Sequence, residues 1–575
     1  MLDEAHVGDI RGALGTIAVG DYAARGTLSA KLKTLLAIVG PGLIVMVGDN
    51  DAGAFSTYGQ AGQNYGTRLL WTMLLLIPVL YVNQEMVLRL GAVTGVGHAR
   101  LILARFGKFW GTFEVIDLFL LNGLTIVTEF IGITLAASYL GVPKVLAVAF
   151  AAGVIIATAF TGSFRAFERI AMTFCAGSLL LIPLYLMAHP SGAEMARGFA
   201  VPALPGDGAS GVASGGMAAV MLLVIGIVGT TVAPWQLFFQ QSYVIDKRIT
   251  PRFMKYEKAD LWIGIVIVVL GAAVLMGVTA VAFAGTSGAG HFTDSAGLAR
   301  GVALYAGHVA GVIFAVALLD AAVIGAFAVS LSSAYAIGDV LGMKHSLHRG
   351  VGQAKGFYAL YAALICGAAT IVLIPGSPLG LITEGVQVLA GVLLPAATVF
   401  LLMLCNDKAV LGPWVNRART NAFAAAVIAV LITLSIVLTA SVMFPAITAG
   451  QIVAVMAGCA AAAVAGGGWL GVSRVRRARR ARLAGLADRA GRAGRVAGRE
   501  DLADVDAVGV AAAGVAAADA AAAGDRMMWR MPPISELAPL RIAGARRLAL
   551  IALRGYLAIA MIMVIVKVVL MATAH

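Results

Sequence analysis

The sequence predicts an all-α polytopic membrane protein, built as an inverted repeat of two five-helix halves with helices 1 and 6 broken and further helices at the C-terminus. Three observations predict it. The 575 residues are 60% apolar and only 12% charged, with a mean hydropathy of +0.92, whereas a soluble chain carries about 25% charged residues to cover its surface. Apolar stretches of about 20 residues, the length that spans hydrocarbon, recur from end to end. Two of those stretches are interrupted near their middles by glycine, proline and acid.

Hydrophobic spans are expected near 34–57, 69–88, 112–140, 143–162, 168–188, 217–243, 260–285, 303–338, 357–375, 382–404, 421–444, 449–472 and 549–571. This divides the chain into an N-terminal segment 1–33, a ten-helix core 34–404 (halves 34–188 and 217–404), two added helices in 421–472, an insert 473–548 and a last span 549–571. With the N-terminus inside, the cytoplasmic connections hold residues such as Arg89, Arg105, Lys108, Lys247, Arg252, Lys344, Arg349 and Arg417. The opposite ones hold only Arg68, Lys144, Arg197 and Arg300. That bias is the positive-inside pattern; it points to an inner (plasma) membrane protein with a cytoplasmic N-terminus.

The formal charge of +13 is concentrated in loops and in the Arg-rich stretch 474–499. That stretch leads through Asp501, Asp504 and Asp506 into an Ala/Gly tract without apolar periodicity, the composition of a disordered insert. A juxtamembrane arginine cluster suits anionic lipid better than nucleic acid, so no nucleic-acid partner is expected, and the chain is read as a monomer. No basic flank precedes an apolar run at the start, so no cleaved signal is expected. Cys175, Cys366, Cys405 and Cys459 lie singly in apolar runs and read as packing residues. The histidines avoid both interrupted spans, and no His cluster suggests zinc.

Backbone inside a bilayer can leave its helix only where it is buried in protein or lines a cavity, and an ionisable side chain there is a functional hypothesis. The first span reads L-A-I-V-G-P-G-L-I-V-M-V-G-D-N-D-A-G-A-F-S-T-Y-G. Gly48, Asp49, Asn50, Asp51 and Gly53 make a poor helix interior and a good cation site: glycine lets carbonyls turn inward and the carboxylates supply charge. The alternative is an ordinary helix end with Asp as N-cap.

The sixth span reads M-L-L-V-I-G-I-V-G-T-T-V-A-P-W-Q-L-F-F-Q-Q-S. Pro234 lacks the N–H that would bond the carbonyl four residues back, that of Thr230, and Gly226, Gly229 and Thr231 loosen the same turn. One proline kink is weak evidence. Interruptions at corresponding places in two halves point to a transporter with its site at the bilayer midplane, where carbonyls at half-helix C-termini face a cation. Other polar residues within spans are Glu85, Glu114, Asp117, Glu129, Asp320, Glu384 and Gln387, of which Glu129 and Gln387 lie deepest.

The two breaks also resemble a known family. P-G-L-I-V-M-V-G-D-N-D-A-G-A-F-S-T-Y-G-Q-A-G-Q-N-Y-G (41–66) looks like the first helix of the NRAMP metal transporters with its D-P-G-N motif, and Gly229–Ser242 resembles the sixth helix, which carries M-P-H. Q-E-M-V-L-R-L-G-A-V-T-G (84–95), T-E-F-I-G-I (128–133), Q-V-L-A-G-V-L-L-P (387–395) and C-N-D-K-A-V-L-G (405–412) extend the likeness over about 35–420. The resemblance implies the amino-acid/sodium-symporter-type fold and alternating access. It implies Asp51 as the binding aspartate, Thr230 as a backbone carbonyl ligand, Gln387 as the helix-10 glutamine and Glu129 as the helix-3 glutamate. Gly53, Glu129, Pro234, Trp235 and Gln240 are expected in gating or relay positions.

The departures narrow the expected substrate. D-P-G-N is D-A-G-A here, so the family's asparagine ligand falls at Ala54. The methionine of M-P-H falls at Ala233, its histidine at Trp235, a second histidine at Gln240, and the helix-3 aspartate at Ile126. A thioether favours softer ions, and Mg²⁺ is bound through one or two carboxylates while keeping several waters. Asp51, Asp49, a Thr230 carbonyl and Gln387 in a roomier pocket therefore suit partly hydrated Mg²⁺, with Mn²⁺ also accepted and Ca²⁺ rejected, as in the NRAMP-related magnesium branch.

Missing proton carriers predict uncoupled transport, with no cofactor beyond the transported ion. The competing readings are a proton-coupled Mn²⁺/Fe²⁺ importer and a cation-coupled organic solute symporter. No paired nucleophile and base, phosphate loop or His/Cys metal set suggests an enzyme.

Overall fold

The helical segments follow from where glycine, proline and N-capping side chains interrupt the apolar runs. The computed structural model describes residues 4–203, 216–376, 378–444, 447–448, 450–466 and 529–540, with isolated positions at 468, 526 and between 544 and 566. The chain divides into two units, Met1–Ala449 with Arg530–His575, and Gly450–Trp529. The second contains an apolar helix, Gly450–Gly466. The expected insert 473–548 and last span 549–571 lie largely outside the described residues.

In the first unit α1 (Leu28–Ile38), capped by Thr27, meets α2 (Pro41–Val47) at an angle of 55°. The first apolar run thus has an additional bend at Val39–Gly40, where Gly40 takes φ 154 and Pro41 opens the next helix, as suits a proline at the first helical position. After the Gly48–Asp51 break comes α3 (Ala52–Tyr65). The first half continues with α4 (Trp71–Thr94), α5 (His98–Phe106), α6 (Lys108–Tyr139), α7 (Lys144–Ala159), α8 (Phe164–Gly177) and α9 (Leu181–Ala188). A short α10 (Gly192–Ala200) leads toward the second half.

There α11 (Gly216–Thr231) and α12 (Pro234–Asp246) flank the other break. They are followed by α13 (Met254–Phe283), α14 (Ser295–Ala306), α15 (His308–Leu341), α16 (Lys355–Val372) and α17 (Leu379–Cys405). A short α18 (Lys408–Leu411) and the long α19 (Ala418–Met443) come next. Among the described residues nine helices are long and apolar enough to cross a membrane, or up to ten counting the bent pair α1–α2.

The two halves repeat one design. In each, a long helix, a short helix and a second long helix follow the broken one: α4–α5–α6 in the first half and α13–α14–α15 in the second. The joint between short and long helix is a glycine with nearly the same left-handed-side backbone in both, Gly107 at φ 88, ψ 170 and Gly307 at φ 93, ψ 161. Such angles are open to glycine and closed to L side chains, so the sequence encodes the same turn twice. The two third helices, α6 and α15, pack along one another at the centre of the bundle.

Large apolar side chains such as Leu75, Phe109, Phe150, Ile182, Val266 and Leu270 face outward. A soluble protein would bury them, whereas lipid takes them at no cost.

The N-terminal segment folds back on the bundle. Its two strands, Ile10–Arg11 and Thr16–Ile17, pair antiparallel with Ile10 opposite Ile17. The Arg248 guanidinium donates to the carbonyls of Ala5 and Asp9, Arg169 to that of Ala13, and Arg252 to that of Asp21. A buried pair, Lys247 Nζ to Glu168 Oε1 at 2.7 Å, lies beneath, and Lys247 also donates to the Val39 carbonyl at 2.8 Å. The N-terminus of α2 is held by Asp260 of α13, whose carboxylate accepts from the backbone N–H of Gly40, Gly42 and Leu43 at 3.1, 2.7 and 3.2 Å.

Candidate metal-ion site

Both breaks lie inside the bundle, and each exposes the end of a half-helix. In the first, α2 tightens as it stops: Asp49 N donates to Met46 O at 3.2 Å and Asn50 N to Val47 O at 3.0 Å, three residues back instead of four. Such a turn is a common way to finish a helix. Asp51, with φ −77 and ψ −171, leaves the helix and caps α3, accepting from Ala54 N at 2.8 Å. Mid-span break and N-cap, set apart as alternatives at the sequence level, are therefore the same residue doing both.

A second carboxylate joins it from α6: Glu129 Oε2 accepts from Ala52 N at 3.1 Å. Two acids at the N-terminus of α3 satisfy its first unpaired amides and face its positive dipole end.

In the second break Ala233 is extended, with φ −81 and ψ 143, and Pro234 opens α12. Proline has no N–H to close the bond to the Thr230 carbonyl, so this carbonyl at the C-terminus of α11 lacks its i+4 donor. Gln236 then ties the two breaks together. Its amide nitrogen donates to Asp49 Oδ1 and, at 3.3 Å, to Thr231 O. Its Oε1 accepts from Gln84 of α4 at 2.8 Å. Tyr58 OH and Thr231 Oγ1 lie 2.7 Å apart and make a further link between α3 and α11.

Gln387 of α17 reaches the same place. Gly53 has no side chain, and the Gln387 amide occupies the volume a β-carbon would need, a point 3.1 Å from Asp51 Oδ1. Gly325 of α15 does the same for the acids: a β-carbon there would lie 2.6 Å from Glu129 Oε2 and 2.9 Å from Asp51 Cβ. The Trp235 ring packs over Gly48, 3.6 Å from that glycine's would-be β-carbon, and Ser332 Oγ donates to the Trp235 carbonyl at 2.9 Å.

Asp49, Asp51, Glu129, Thr230 and Gln387 are all buried. Several of their polar atoms have no hydrogen-bond partner: Asp49 Oδ2, Glu129 Oε1, Thr230 Oγ1 and Gln387 Nε2. Buried polar groups are paired in most proteins, so a concentration of orphans at two unwound backbones marks a place built for a polar ligand.

The structure brings Asp49, Asp51, Gly53, Glu129, Thr230, Pro234, Trp235 and Gln387 to the two breaks. Ala54 contributes its backbone N–H, and the methyl groups of Ala54 and Ala233 offer no ligand. Gln240 is buried on α12, and neither of its amide atoms has a partner, so no hydrogen bond connects it to the breaks. Glu85 instead pairs with Arg89 at 3.0 Å and Lys258 at 2.8 Å, and Glu114 with Arg554 at 3.0 Å. Among the described residues no group of three or more His, Cys, Asp or Glu could hold a metal ion, so any ion here must draw on carbonyls, amides or water as well.

Sequence reasoning missed Gln236, Gln84 and Tyr58. A glutamine two residues past a mid-span proline is the signal that could have found the first, because an uncharged amide has little reason to be mid-membrane unless it bridges polar groups.

The family model described as natural resistance-associated macrophage protein-like matches residues 42–441. The chain is 28% identical over 408 residues to the "Divalent metal cation transporter MntH" of Latilactobacillus sakei, covering 67% of this chain and 85% of that one. It is 27% identical over 423 residues to the MntH of Burkholderia ambifaria, covering 69% and 87%. Its fold matches a mutant form of the Eremococcus coleocola manganese transporter at a TM-score of 0.59 and 19% identity, over 79% of this chain and 96% of that one. Broken helices, buried acids and the family match agree: the chain is a multi-pass membrane transporter, not an enzyme, and belongs to the Nramp family of divalent metal cation transporters.

Proposed function

We propose that the chain carries Mg²⁺, and with it Mn²⁺, across the plasma membrane by alternating access and without moving protons, with its N-terminus in the cytoplasm. The observation that carries this reading is the ligand set at the breaks. Asp51 and Asp49 supply charge, the Thr230 carbonyl and, with its amide turned over so that oxygen replaces the nitrogen now at the site, Gln387 supply neutral oxygen, and Ala54 and Ala233 carry no side-chain ligand. Hard oxygen donors suit Mg²⁺ and Mn²⁺, and small side chains leave room for waters the ion keeps.

Uncoupled uptake is sufficient energetically. Two charges crossing the full field gain about 4.6 kcal/mol per 100 mV, twice the single-charge value.

A second reading, proton-coupled Mn²⁺ import, is favoured by one feature. Glu129 is buried beside Asp51 with an unpartnered oxygen, a place where a proton could rest.

The test is flux into vesicles holding the purified chain together with a Mg²⁺ dye or a pH dye. Mg²⁺ entry that Mn²⁺ competes with, at constant internal pH, is the expected result. Mn²⁺ entry with acidification and no Mg²⁺ signal would overturn it in favour of the second reading.

A further inference from the structure

A small, mostly apolar pocket beside the first break, into which three oxygen-bearing side chains are set, is left unused by divalent transport. It is lined by Asn50 of the break, Phe55 of α3, Ser178 and Leu181 where the fifth span passes from α8 to α9, and Asp320 and Ile324 of α15. Its volume of about 10 Å³ holds one water-sized particle.

The fifth span is loosened at this level. A single 3₁₀ turn, Ser178–Leu180, separates α8 from α9, the kind of mid-helix departure that often accompanies function. Gly177 precedes it, and the Asp320 carboxylate lies in the space its β-carbon would fill. Among the described residues Asp320 makes no hydrogen bond and no ion pair, although it sits within a long apolar helix.

Asn50 supplies the independent observation. It is 3% exposed. Its amide nitrogen donates to the Val268 carbonyl at 3.4 Å, which leaves Oδ1, an oxygen buried without a partner, as the free end of a residue that lines the pocket.

We propose that this pocket binds a small monovalent cation, Na⁺, through the Asp320 carboxylate, Asn50 Oδ1 and the Ser178 hydroxyl. An uncompensated carboxylate at membrane depth is costly and normally has a partner. The donors are all oxygen, which selects a hard ion. A single carboxylate balances a single positive charge, and the space admits a bare ion but not a hydrated divalent one. Since Asn50 stands between Asp49 and Asp51, the ion would brace the backbone that presents both acids. Sodium should therefore raise divalent-ion affinity, and by linkage the divalent ion should raise sodium affinity.

The full chain in detergent, compared in NaCl and choline chloride at equal ionic strength, gives the test through Tm and binding of radioactive sodium. The expected result is a saturable sodium-dependent rise in Tm with a matching single binding component. Asp320→Asn should abolish both, and Ser178→Ala should weaken sodium binding several-fold in a chain that still elutes as a sharp monodisperse peak. Equal Tm in the two salts, sodium binding retained by Asp320→Asn, or a response to pH alone (a proton on Asp320) would each overturn it. A chain that binds sodium without transporting Mg²⁺ sinks only the transport reading, and the reverse result sinks only this one.

Discussion

Gln387 lies so close against Gly53 that a β-carbon at residue 53 would overlap its side-chain amide while standing 3.1 Å from Asp51 Oδ1. The glycine in the first turn of α3 is therefore required because a side chain from another helix passes over it, while the backbone there is already helical. Gly53→Ala should displace Gln387 and lower divalent flux at least about tenfold, equivalent to ~1.4 kcal/mol at the barrier. The variant should still elute as a folded protein. Dye-reported flux together with size-exclusion profiles checks both halves of this expectation.

Gln236 is the bridge between the breaks, accepting from Gln84 and donating to Asp49 and Thr231. Replacing it with leucine leaves Asp49 buried without its amide donor, and removing one partner of a buried charge costs about 1–3 kcal/mol. Gln236→Leu should weaken Mg²⁺ binding about tenfold, whereas Gln236→Glu should not restore it, because a carboxylate facing Asp49 repels it. Isothermal titration of the purified variants decides the point.

Asp260 pins the start of α2 with three backbone hydrogen bonds. Asp260→Ala leaves those amides unpaired, at a cost of about 1–2 kcal/mol for a lost cap. Tm should fall, and a cysteine placed at the partly exposed Leu43 should become more reactive toward a water-soluble thiol reagent as α2 loosens. Unchanged labelling with a lowered Tm would confine Asp260 to stability.

Much of this arrangement was legible in the chain. The span pattern follows from apolar run lengths, and the break at 48–51 from acids and glycines that no helix interior favours. The freed Thr230 carbonyl follows from Pro234 alone. What the sequence could not show is which side chains cross between helices. Glu129 reaching Ala52 N and Gln387 lying over Gly53 depend on the packing of α6 and α17, not on local spacing. The extra bend at Gly40 was hidden because residues 34–57 read as one apolar run, and only the Asp260 cap from a distant helix shows why the chain turns there. Asp320 was visible as an acid in a span, but its pocket needed the 3₁₀ turn at Ser178, which carries no sequence signature.

At the loop after α15, His345 Nε2 lies 3.2 Å from Asp339 Oδ1. Burial alone would lower its pKa, but the hydrogen bond and charge of Asp339 outweigh burial and hold it above the ordinary 6.5. A raised folded-state value means the contact stabilises fully below pH 6.5 and is lost as pH rises through the raised value. Tm should therefore fall between pH 6 and pH 8.5 by more in the wild type than in His345→Gln, in thermal scans at matched ionic strength.

The central claim is that the Asp51 charge meets the ion. Asn is as good an N-cap as Asp, so Asp51→Asn keeps the start of α3 and removes only the charge. Mg²⁺ flux into vesicles should fall about a hundredfold, ~2.7 kcal/mol, in a variant whose Tm stays near that of the wild type. Flux close to wild type in Asp51→Asn would contradict the account outright.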